Sequence, residues 1–190
     1  MAKLKEEIEE RVIDKADAID VLDRTIDFVR NCDNKASILL GIFGVVFTII
    51  LTADGINNLA DIFSAAATQM SFCKAIYLTL MAAAIVVIIF GLSQIIRVLN
   101  ARVDFSKKEG IDNDSKIFFE HIRKNTSYLA YKTKLLNMTD EEFLNDITSQ
   151  IYINSCICSD KYKNYKRGLT WSIVGFAAFI VLWAVGIIIF

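Results

Sequence analysis

Histidine occurs once, at position 121, and proline is absent. A zinc site needs several Cys or His ligands at close spacing. The four cysteines do not supply one. Cys32 and Cys73 are isolated, and Cys156 and Cys158 lie two apart on a helical stretch, where they point to different faces. Neither a metal nor a cofactor is expected. The sequence also has no glycine-rich phosphate loop, no GxSxG and no HExxH. A Cys–His nucleophile pair would have to use His121. The carboxylate pair Glu141–Glu142 falls in a helix first turn, where the helix dipole favours acidic residues anyway. No enzyme is expected. Lys and Arg are missing from residues 54–73, and no charged residue falls in residues 36–53, 75–96 or 168–190. Transporters and selective channels keep ionisable groups inside the membrane, so their absence argues against both classes.

What is present is apolar. Of the 190 residues, 54% are hydrophobic, above the usual share for soluble domains. The excess lies in the same three uncharged runs, and each is close to the roughly 20 residues needed to cross a hydrocarbon core. The chain therefore reads as an all-α membrane protein with three transmembrane helices, an amphipathic N-terminal helix and a helical cytoplasmic segment. The expected division is 1–35 cytoplasmic helix, 36–53 first span, 54–74 outer loop, 75–98 second span, 99–167 cytoplasmic segment and 168–190 third span. No signal peptide is expected before the first span, because residues 1–35 are charged and polar throughout.

Orientation follows from the basic residues, which are retained on the cytoplasmic side of a span. Only Lys74 borders the outer loop; the other 20 of 21 Lys and Arg fall on the opposite side. The N-terminus is expected inside and Phe190 near the outer surface. The polar segments are balanced in charge, −3 over residues 1–35 and +2 over 99–167. That balance argues against nucleic-acid binding.

Along the chain, residues 2–30 read as one amphipathic helix with an apolar seam of Ile8, Val12, Ile19, Leu22, Ile26 and Val29. Asp14, Asp17, Asp20, Asp23 and Asp27 form an acidic stripe, either solvated or docked to basic groups elsewhere on the cytoplasmic side. Asp54-Gly55 signals a turn, and Ile56, Leu59, Ile62 and Phe63 suggest a short surface helix in the outer loop. Residues 104–115 read as a loop. A helix is expected from Ser115, with Phe118, Ile122, Asn125, Leu129, Lys132 and Leu136 on one stripe, its polar members setting register. Thr139 with Glu142 forms a capping box. From there no strong break occurs until Gly168, so this helix is expected to run into the third span.

The spans carry small residues at helical spacing, which let helices approach closely in lipid. Gly41, Gly44, Thr48 and Thr52 are candidates for packing within a protomer or between copies, and Gly175 and Ala178 lie along the third span. At the mouth of the first span stands Arg30-Asn31-Cys32-Asp33-Asn34-Lys35-Ala36-Ser37-Ile38-Leu39-Leu40-Gly41. Arg30 and Lys35 there, with Lys161, Tyr162, Tyr165, Lys166 and Arg167 before the third span, supply cations and aromatic rings, and Asp33 between them is a further binding candidate. An anion bearing an aromatic base would use both. The same cations also hold topology and meet lipid headgroups.

In Asp33, Lys35, Ala36, Ser37, Leu39, Leu40 and Gly41 the chain resembles the transmembrane effectors of Pycsar, the bacterial pyrimidine cyclase system for antiphage resistance. The Lys161-Tyr162 pair is a second, weaker similarity, and the order of helices agrees. The resemblance implies an effector that responds to cCMP or cUMP made by a partner cyclase. It implies disruption of the bacterial inner membrane and abortive infection. Membrane lipid and further copies of the chain are expected as partners, because three spans in one protomer are too few to enclose a wide aqueous path. Two other readings stand beside it: an effector for a cyclic oligonucleotide, and a constitutive membrane adaptor that binds a protein through its N-terminal helix.

Overall fold

The computed structural model describes residues 14–68, 71–100 and 115–189. Ile8 and Val12 of the expected seam, and residues 104–114 of the expected loop, lie outside them. All regular structure among the described residues is helical: α1 Lys15–Ile50, α2 Ala53–Ala67, α3 Phe72–Leu99, α4 Phe119–Arg123, α5 Tyr128–Leu136 and α6 Asp140–Ile189. Three of these, α1, α3 and α6, are long and apolar enough to cross a membrane. The chain is thus an all-α membrane protein, as expected. It divides into a polar unit, Met1–Arg30 with Ala101–Ser159, and a membrane unit, Asn31–Asn100 with Asp160–Phe190.

In the membrane unit, the buried faces set small residues among large apolar ones. On α3, Tyr77, Met81, Ala84, Ile88, Gly91, Ile95 and Val98 recur every three or four positions and are all buried. The facing stripe of α6 carries Gly168, Ser172 and Gly175, again at helical spacing and buried. A β-carbon on Gly91 would lie 2.5 Å from the Ser172 backbone nitrogen, and one on Gly175 would lie 2.8 Å from that of Ile88. Only hydrogen at these positions lets the two backbones meet, and lipid offers no hydrophobic drive that would replace this contact. Ala178, paired with Gly175 by its spacing, is exposed instead. The buried stripe continues at Phe179, four residues on from Gly175. Phe43 of α1 stacks on Phe176 of α6 with ring centroids 5.0 Å apart. The Tyr77 hydroxyl donates to the Leu182 carbonyl at 3.0 Å, which satisfies a polar group that lipid cannot.

The turn after α1 explains Thr52. Its side chain accepts from the Gly55 backbone N–H at 3.3 Å, so it caps the start of α2. A β-carbon on Gly55 would sit 2.1 Å from the Ile50 carbonyl oxygen, which makes glycine obligatory there. Helix α2 covers the four apolar residues from which a helix was expected, burying Ile62 and leaving Ile56 and Phe63 exposed. At its far end the Lys74 ammonium donates to the carbonyls of Ala65 at 2.8 Å and Thr68 at 3.0 Å. A cation suits the carbonyl end of a helix.

In the polar unit two expectations change. The buried positions of α1 are Ala18 and Thr25, whereas Ile19 and Ile26 are 40% and 37% exposed and Leu22 and Val29 are half-buried. Small side chains give the closer approach, so the larger apolar residues are displaced to the flank. The single helix expected from Ser115 is two, α4 and α5. The Asn125 side chain donates to the carbonyls of His121 at 3.3 Å and Ile122 at 2.9 Å, ending α4. Ser127 then opens α5, accepting from the Ala130 N–H at 3.2 Å. The expected stripe from Phe118 to Leu136 therefore does not lie on one helix. The capping box is present: Glu142 accepts from the Thr139 N–H at 3.1 Å, and the Thr139 hydroxyl accepts from the Glu142 N–H at 3.2 Å. As expected, α6 then runs without interruption into the third span.

Candidate functional site

The clearest polar constellation of the membrane unit gathers at Lys161. This residue is 5% exposed. Helical periodicity turns it inward, one turn before Tyr165 and two before Gly168, onto the buried side of α6. Its ammonium donates to Asp33 Oδ1 at 2.5 Å and to the Val98 carbonyl oxygen at 2.7 Å. Val98 is in the last turn of α3, where carbonyls lack intrahelical partners. One ammonium thereby joins α1, α3 and α6. Removing Asp33 strands the Lys161 ammonium in a poorly solvated place, which costs more than losing a surface pair.

The other sequence candidates are placed differently. Arg30 belongs to the polar unit, where its guanidinium pairs with Asp27 at 3.0 Å. Lys35 is exposed on α1. On α6, Tyr162 is 58% exposed, Tyr165 is half-buried, and Lys166 and Arg167 are exposed. Tyr162 and Lys166 are four residues apart, so an aromatic ring and an ammonium share one outward face. Asp33 and Lys161 are brought together and are occupied with each other. The pair engages the fold, and of the sequence candidates in the membrane unit Lys35, Lys166 and Arg167 are exposed cations. Gly41, Gly44 and Thr48 are exposed, and a β-carbon on either glycine would meet nothing within 4 Å. Among the described residues this face is not used for packing inside the protomer.

Sequence reasoning missed the residues that do pack, Gly91, Gly168 and Ser172. The spacing of Gly168, Ser172 and Gly175 at four and three residues was the signal that could have found them. It also missed Asp146, which is 2% exposed and accepts from the Lys116 backbone N–H at 2.7 Å, pinning residues 115–118 to α6. Glu142, in the first turn of α6, has a displaced titration. The Thr139 N–H bond, and then the Lys116 ammonium 3.2 Å away, hold it below the usual glutamate range. Among the described residues no cluster of three His, Cys, Asp or Glu is arranged to hold a metal.

Comparison with known proteins agrees with this architecture. The family described as the Pycsar effector protein domain matches residues 17–190. The Pycsar effector protein GmPycTM of Gulbenkiania mobilis is 28% identical over 178 residues, covering 88% of this chain and 90% of that relative. The Pycsar effector protein EcPycTM of Escherichia coli is 23% identical over 163 residues, covering 86% and 85%. No solved structure matches the chain. With a family match over nearly its whole length and three apolar helices to carry it, the chain belongs to the Pycsar effectors, membrane proteins of antiphage defence.

Proposed function

We propose that this chain is activated by a cyclic pyrimidine mononucleotide, cCMP or cUMP, made by a partner cyclase. Its response impairs the bacterial inner membrane, so that the infected cell dies before phage matures. The observation that carries the reading is the continuity of α6, 50 residues that begin in the polar unit and end as the third span. A signal received at its polar portion has a continuous helix along which to reach the membrane. The N-terminus faces the cytoplasm, where the nucleotide is made, because 20 of 21 basic residues fall on that side.

A cyclic mononucleotide carries one negative charge and one aromatic base. Lys166, Arg167 and Lys35 match the charge and Tyr162 and Tyr165 match the base, all within the membrane unit. Three spans in one protomer are too few to enclose a wide aqueous path. Membrane damage therefore needs several copies, and the open Gly41–Gly44–Thr48 face of α1 offers close approach between them.

The test is a pair of charge reversals, Lys35→Glu and Arg167→Glu, expressed at wild-type membrane abundance. A charge-assisted contact to phosphate contributes enough that its loss weakens ligand sensitivity by about tenfold or more. Both variants should need correspondingly more nucleotide to depolarise the membrane. If both respond like wild type, the ligand is held elsewhere and the α6 cation–aromatic face is only a topology signal.

A further inference from the structure

Two features of the polar unit are left uncovered by the described residues of the protomer. The first is the outward face of α1: Ile19, Asp23 and Ile26, spaced four and three apart, share one side and are exposed. The second is α5. This nine-residue helix buries no residue, and Leu129 and Leu136 on it are 70% and 73% exposed, with Lys132 between them on the same side. A helix this short is marginal in water and owes its stability to packing of an apolar face. Within the protomer the Tyr131 hydroxyl of α5 donates to the Lys116 carbonyl at 3.1 Å.

The two faces match in residue pattern and are opposite in charge. Each sets a charged side chain between two branched aliphatic ones over two helical turns, and the charges are opposite, Asp23 on α1 and Lys132 on α5. Charge also complements at larger scale. Residues 14–30 carry Asp14, Asp17, Asp20, Asp23 and Asp27 against Lys15, Arg24 and Arg30, a net of −2. Residues 115–139 carry Lys116, Arg123, Lys124, Lys132 and Lys134 against Glu120, a net of +4.

We infer that the α5 face of one copy docks on the α1 face of a second copy of this chain. The contact is heterologous: each copy offers both faces and uses each toward a different neighbour. Contacts of that kind close into rings or extend as open arrays. The inference rests on the assembly step of the proposed function and names the surface through which the polar units take part in it. A central ion pair between aliphatic flanks fixes register in the way a polar residue does in a coiled-coil seam.

The experiment co-expresses two full-length chains in membranes, one carrying Ile26→Cys and the other Leu129→Cys, and reads disulfide-linked dimers under mild oxidation. Wild-type chains, with their native cysteines, give the background. A mixed dimer above background is expected. Asp23→Lys should lower its yield about fivefold, the order for turning an exposed attractive pair repulsive. Adding Lys132→Glu to the partner chain should restore it. A second reporter, Val45→Cys on the exposed face of the first span, reads assembly as such. A dimer through Val45→Cys with none through the mixed pair overturns the inference and leaves assembly standing. No dimer through either overturns both. If instead a fluorophore on Leu129→Cys shifts only with anionic vesicles and the mixed dimer is absent, α5 is a lipid-facing helix and the inference is wrong.

Discussion

Replacing Asp33 with alanine removes the carboxylate from the Lys161 clasp. The ammonium then keeps only the Val98 carbonyl, 2.7 Å away, while remaining enclosed. Breaking a fully buried pair in this way costs about 3–5 kcal/mol. The Asp33 side chain is 36% exposed, so water screens its half of the pair and the expected loss falls to about 2–3 kcal/mol. For a chain of this size each kcal/mol moves the melting temperature by about 2–4 °C, so Asp33→Ala should lower it by about 4–12 °C in detergent. Lys35→Ala, two residues away and exposed, should move it by less than about 2 °C. The double replacement Asp33→Leu with Lys161→Met should recover most of the loss, because it leaves no charge stranded. Melting is followed by intrinsic fluorescence at matched detergent. If Asp33→Ala melts with the wild type, Lys161 is adequately solvated and the clasp holds nothing.

The glycines divide by the same logic. Gly91→Leu drives a side chain into the Ser172 backbone and should abolish membrane accumulation, whereas Gly44→Leu projects into open space and should leave abundance and melting unchanged. Gly44→Leu should nonetheless reduce membrane damage if copies meet there; undiminished toxicity in that variant would remove this face from assembly. At the start of α6, Glu142 titrates below the usual glutamate range. Its stabilising effect is therefore present above that range and is lost as pH falls through its lowered value. Protection factors of the amides at residues 139–143, exchange taken relative to the intrinsic rate at each pH, should fall on acidification in the wild type. In Glu142→Gln, which keeps the capping geometry without the charge, they should be flat over the same window, and an equal fall there would assign the effect to another group.

The spans were legible because a chain this short has too little polar sequence to bury three uncharged runs of about 20 residues away from water, so lipid must cover them. The capping box and the unbroken course of α6 were legible for a different reason, since each is set by neighbours in sequence. What failed needed distance. The seam on α1 was read from the largest apolar residues, Ile19 and Ile26, yet a helix in close contact buries its smallest, Ala18 and Thr25. The break between α4 and α5 depends on Asn125 folding back onto two carbonyls, and a helical stripe ran through it unmarked. In the candidate site, residue types were right and roles were not separable. Lys161 and Lys166 are both lysines five apart, one buried in a clasp and one exposed, and only the packing of α1 and α3 around α6 tells them apart.

The central claim is that a cyclic pyrimidine mononucleotide switches this protein to a membrane-damaging state. The direct measurement is release of an entrapped dye from liposomes carrying the purified full-length chain, on addition of cCMP, cUMP, cAMP, cGMP or a cyclic oligonucleotide. Release is expected with cCMP or cUMP, with the purine mononucleotides and the oligonucleotide inert. Silence with both pyrimidine nucleotides, or equal release with purine ones, would contradict it.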